Sequence, residues 1–87
     1  MQKNVEQMKE KINNYPLFQE VEDAELRANN RGAMLANIFE DFGNGKGATT
    51  RVGLAAAMTY LSTVQDKGER VKAIEFMNAH LKSRGLV

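Results

Sequence analysis

The one histidine, His80, is the residue best suited to moving protons near neutral pH, and the sequence gives it no partner. There is no cysteine, which removes thiol nucleophiles, thiolate metal sites and disulfides together. On a helix His80 would lie three residues from Met77 and four from Phe76, at the border of an apolar stripe, while Glu75 and Asn78 project elsewhere. That spacing suits a histidine satisfied at a helix border and offers no set of metal ligands. Two carboxylates adjoin at Glu40 and Asp41, but neighbouring helical positions point about 100° apart and do not converge on one substrate atom. The serines and threonines have no base nearby in sequence. These residue types predict no catalytic centre, no cofactor and no metal site, so the chain reads as a non-enzyme.

Anion chemistry has more to work with. From Gly43 to Arg51 three glycines surround Lys46 and lead into a helix start carrying Thr49, Thr50 and Arg51. Glycines let backbone N–H groups turn toward a ligand, and a helix N-terminus adds partial positive charge. The spacing departs from a nucleotide-binding P-loop, in which Ser or Thr follows Gly-Lys at once after a buried strand. Here Gly47 follows Lys46, and a helix is expected before the loop. Two readings stand side by side: a connector between two helix caps, or a contact loop in which Lys46, Thr49, Thr50 and Arg51 hold a phosphate or nucleic acid.

The elements that must position these groups follow from spacing. With 87 residues and 43% apolar content, the chain is expected to form a single domain over residues 1–87. Val5, Met8, Ile12 and Tyr15 form one apolar stripe, and Pro16 ends that first helix because proline pushes the preceding residue out of helical conformation. A second helix is predicted over about Leu17 to Phe42, carrying Phe18, Val21, Ala28, Leu35, Ile38, Phe39 and Phe42 at helical spacing. Asn29, Asn30 and Gly32 predict a kink or break in its middle. A third helix is expected from Thr49 or Thr50, with Leu54, Met58, Leu61 and Val64 as its core stripe. Asp66 and Glu69 read as a capping box opening a fourth, lined inside by Val71, Ile74, Met77 and Leu81 and closed by a Gly85–Leu86 Schellman stop. The fold class is therefore all-α: a compact bundle of three main helices plus a short N-terminal helix, the last two forming an antiparallel hairpin.

Ala24, Ala28, Gly32 and Ala36 recur every four residues, and Gly53 and Ala57 do the same, so the second and third helices are expected to cross closely. Leu26, Met34, Val52 and Tyr60 fall off the best core faces and are expected at an interface. The net charge of +1 names no partner. It divides, however, into −3 over residues 1–42 (five basic, eight acidic) and +4 over residues 43–87 (seven basic, three acidic), a polarity that can orient two copies. The opening residues lack the apolar run of a secretory signal, no stretch is long and apolar enough to cross a bilayer, and absent cysteine suits a reducing compartment, so the expected location is cytoplasmic. The leading expectation is a helical protein-interaction module, self-associating, that occludes or bridges a protein partner as small accessory and inhibitor proteins do. The alternative is a nucleic-acid or phosphate-ligand binder using the 43–51 segment.

Overall fold

The computed structural model describes residues 2–43 and 49–86. Four helices account for most of them: α1 (Gln2–Asn13), α2 (Ala24–Gly43), α3 (Thr49–Leu61) and α4 (Lys67–Ser83), and among the described residues there is no strand. α2 is the axis of the molecule. Both α3 and α4 pack on it, and α1 packs on α3. Gly53 of α3 meets Phe39 and Gly43 of α2, whereas Tyr60 approaches Arg31, so α3 runs against α2. Glu69 meets Arg31 and Arg84 meets Glu40, so α4 runs with it. The C-terminal pair is thus antiparallel, with α2 seated between its arms. A radius of gyration of 12.6 Å, against roughly 12 Å for a compact chain of this length, marks a closed bundle.

α1 stops where proline requires it. Its last turn closes through Asn14 N–H to the Lys11 carbonyl and Tyr15 N–H to the Ile12 carbonyl, directly ahead of Pro16. Ile12 is buried in the core and Tyr15 packs against it; the side chains of Val5 and Met8 lie outside the described residues.

The second helix differs from expectation at both ends of its first half. Residues 17–23 are not helical, and α2 begins only at Ala24, because Asp23 caps it: Asp23 Oδ1 accepts the N–H groups of Glu25 at 2.9 Å and Leu26 at 3.1 Å. Phe18, expected on the helix, sits in a turn at φ 60°, with the Val21 N–H donating to its carbonyl. From Ala24 onward α2 is unbroken through Asn29–Gly32, where a break was expected. Tertiary contacts outweigh the weak propensity of those residues. Asn29 Oδ1 lies 2.9 Å from His80 Nε2, Arg31 is buried, and Gly32 admits α4.

Close helix approach is present, but with different pairing. A Cβ at Gly32 would fall on the Phe76 Cβ and within 2.8 Å of the Met77 backbone nitrogen, so Gly32 faces α4 and not α3. A Cβ at Gly53 would lie 2.5 Å from the Phe39 carbonyl oxygen. Each glycine lets one helix rest on the backbone of another.

At the start of α4 Asp66 Oδ1 accepts the Glu69 N–H at 3.0 Å, as a cap should. Glu69 does not complete the capping box; its carboxylate is taken by Arg27 and Arg31. Ala73, Met77 and Leu81 are buried on the inner face and Ile74 is half-buried, while Val71 is exposed. The helix ends as its sequence requires, Gly85 at φ 73° and Leu86 N–H reaching back to the Leu81 carbonyl at 2.9 Å.

Candidate interaction surface

The orientation of α3 decides what this molecule shows to the outside. Side chains on a helix advance about 100° per residue, so Gly53, Ala56, Ala57 and Tyr60 share one side while Arg51, Leu54, Ala55 and Met58 share the opposite one. The small residues face inward. Ala56, Ala57 and Tyr60 are wholly buried, whereas Val52, Leu54 and Met58 keep 43%, 45% and 39% of their surface exposed. Leu54 and Met58 were expected in the core, and only Leu61 and Val64 of that stripe are buried. The reason is geometric. With the Gly53 backbone on the Phe39 carbonyl, the space beside α2 admits alanines, and the bulky side chains turn to the far side.

Tyr60, expected at an interface, is inside the protein. Its hydroxyl donates to the Pro16 carbonyl at 2.6 Å and ties α3 to the segment that follows α1. Burial pushes its phenol up to about 12, against a smaller opposing effect from the Arg31 charge. Met34 is half-buried against the core. Of the four residues expected at an interface, Leu26 and Val52 are exposed, on α2 and α3 respectively.

The 43–51 segment lies mostly outside the described residues, Lys46 included. Thr49 and Thr50 begin α3 in the backbone, with side chains outside the described set, and Arg51 is exposed one residue further on. Nothing described brings these four groups together.

Ionisable groups gather elsewhere, at a place the sequence did not signal. Arg31, buried to 4% exposure, donates through Nε to the Leu17 carbonyl at 2.8 Å and through Nη1 to Glu69 Oε1. Arg27 donates through Nε to the same oxygen at 2.9 Å and through Nη1 to the Val21 carbonyl at 2.5 Å. Hydrogen bonds from Arg27 and then Arg31 hold the Glu69 carboxyl below the usual carboxylate range. A cavity of about 330 Å³ opens beside this knot, bordered by Gln19, Gln65 and Asp66 as well. Its two guanidiniums are balanced by two carboxylates, and their Nε and Nη1 donors go to Glu69 and to the carbonyls of residues 17–22. The arrangement pins that non-helical segment to α2 and α4.

The residues considered for catalysis are drawn apart. Glu40 accepts from Arg84 Nη1 at 2.7 Å, while Asp41 turns to Tyr15, whose hydroxyl is raised by burial and then by that carboxylate. His80 is half-buried against Asn29. Among the described residues no three His, Asp or Glu side chains are placed to hold a metal ion, and no helix is long and apolar enough to cross a membrane. No family model, curated protein or solved structure matches this chain.

Proposed function

We propose that this chain is a non-enzymatic helical protein-interaction module that self-associates and acts by occluding or bridging a protein partner, with the outer face of α3 as its contact surface. One observation supports this above the others. α3 (TTRVGLAAAMTYL) carries a single charge, Arg51, in 13 residues, yet among the described residues only one of its sides is packed. A helix with large apolar side chains on both of its sides can bury a layer against each. Here α2 and α1 supply one layer, and Val52, Leu54, Ala55 and Met58 face outward without the other. Leu54, Ala55 and Met58 adjoin on that side, and exposed apolar neighbours of this kind mark interaction sites on small proteins.

A double charge substitution tests the reading. Leu54→Glu with Met58→Glu changes two exposed positions and sets like charges four residues apart, so the folding free energy is expected to fall by about 1 kcal/mol and the chain to stay folded. The same variant is expected to lose the rise of apparent mass with concentration in light scattering. Leu26→Glu, exposed on α2, is the matched control and should leave association unchanged. If the α3 variant associates as strongly as the parent, the contact surface lies elsewhere and the proposal fails.

A further inference from the structure

We infer that the first occupant of this surface is the same surface of a second copy, with the two α3 helices antiparallel about a twofold axis between Ala55 and Met58. The inference rests on the reading of α3 as a contact surface and goes on to its partner and register. Arg51, Ala55, Met58 and Ser62 recur at intervals of four, three and four residues, and all four are exposed. A twofold axis midway along that stripe sets Ala55 of each copy opposite Met58 of the other. A small side chain then receives a large flexible one, twice, with Leu54 flanking each contact. This self-complementarity is what an isologous interface requires.

Charge selects the antiparallel arrangement. Parallel pairing would bring the two Arg51 side chains together, with no acidic residue in the first turn of α3 to offset them. Antiparallel pairing carries each Arg51 to the C-terminal end of the other α3. The helix dipole leaves partial negative charge there, and the last turn has no basic residue of its own. Arg70 is engaged one step further on, with the Val64 and Gln65 carbonyls.

Size limits the strength. α3 is 13 residues, or about 20 Å, long. One such helix face covers well under the roughly 800 Å² per partner of a standard stable interface. The pair is therefore weak, forms in concentrated solution and separates on dilution.

Because the chain has no cysteine, single introduced thiols report the register. Three variants, Ala55→Cys, Arg51→Cys and Ser62→Cys, are oxidised at about 100 µM and read on non-reducing gels. Ala55→Cys is expected to cross-link to itself. Arg51→Cys alone and Ser62→Cys alone are not, since each lies about 16 Å from its own copy along the pair. An equal mixture of those two is expected to give the mixed dimer. Leu26→Cys, exposed on α2, measures random collision and should stay monomeric. Self-linking of Ser62→Cys, which keeps the Arg51 charge, as readily as Ala55→Cys overturns the antiparallel register. An Ala55→Cys yield no higher than that of Leu26→Cys overturns the second copy as occupant. In that event the contact surface itself still stands if the Leu54, Met58 double variant blocks another association, and falls with it if that variant changes none.

Discussion

On its α4 side, α2 offers Arg27, Arg31, Asn29 and Glu40 to Glu69, His80 and Arg84; on its α3 side, it offers a carbonyl oxygen and a glycine Cα to another glycine. The first contact is laced with directed polar bonds and the second is close-packed backbone and alanine. Polar bonds fix register, because a slip of one residue leaves a buried donor unmatched. Close packing fixes distance, because nothing between the helices can yield. α2 holds its neighbours by both means, and α3, packed by the second alone, keeps its large apolar side chains for the outside.

Removing the buried arginine should strain this contrast most. Arg31→Met keeps much of the side-chain volume but leaves the Leu17 carbonyl without its donor and Glu69 with Arg27 alone. Because Glu69 is 35% exposed and keeps Arg27, the cost falls at the low end of that for a broken buried pair, about 3 kcal/mol, measurable by urea unfolding. A chain of 87 residues has only roughly 4–13 kcal/mol in total. Acid should act on the same side. Glu69 is lowered in the folded state, so its contribution is present above the ordinary carboxylate value and is lost as pH falls through the folded one. Glu69→Gln is expected to flatten that part of the acid limb.

The glycines compare the two sides directly. Gly32→Ala would drive a methyl into Phe76 and the Met77 backbone, for a loss of about 3 kcal/mol even after the gain in helix propensity. Gly53→Ala meets the Phe39 carbonyl alone at short range, with 3.3 Å to its next neighbours, for a loss of about 2 kcal/mol. Thermal unfolding of the two variants ranks them. Equal melting temperatures would mean that α4 yields as easily as α3, and the contrast drawn from polar bonding would not hold.

Helix number, the C-terminal stop after Leu81 and the Asp66 cap were legible in the sequence because each depends on residues a few places apart. The faces were less so. Periodicity marks large apolar residues as inward, yet in α3 the inward side is chosen by Gly53, Ala56 and Ala57, whose signal is the lack of side chain. The same sequence did contain the clue: Gly53 and Ala57 were read as a close-approach surface, and that surface excludes Leu54 and Met58 from the core. Tyr60 belongs to the same side as Gly53 and Ala57, although its spacing assigned it to an interface. The Arg27–Arg31–Glu69 knot had no local signature, since it joins positions about 40 residues apart and includes the glutamate that spacing assigned to a capping box.

The smallest expected effect falls on the α3 side, at its one long-range hydrogen bond described here. Tyr60→Phe deletes the hydroxyl that donates to the Pro16 carbonyl, leaving the ring in place. Pro16 is exposed, so water can replace the lost donor and the cost at neutral pH is about 1 kcal/mol. The sharper readout is alkaline. The phenol is raised from 10.0 to about 12 in the folded protein, so the folded state holds that proton more tightly. Stability from this source is complete below pH 10 and falls as pH rises toward 12, because only the unfolded chain releases the proton in that window. Tyr60→Phe should therefore begin slightly less stable than the parent and lose less of its stability between pH 10 and 12. If the two unfolding curves stay parallel through that range, Tyr60 ionises as freely folded as unfolded, and its place inside α3's packed side would have to be given up.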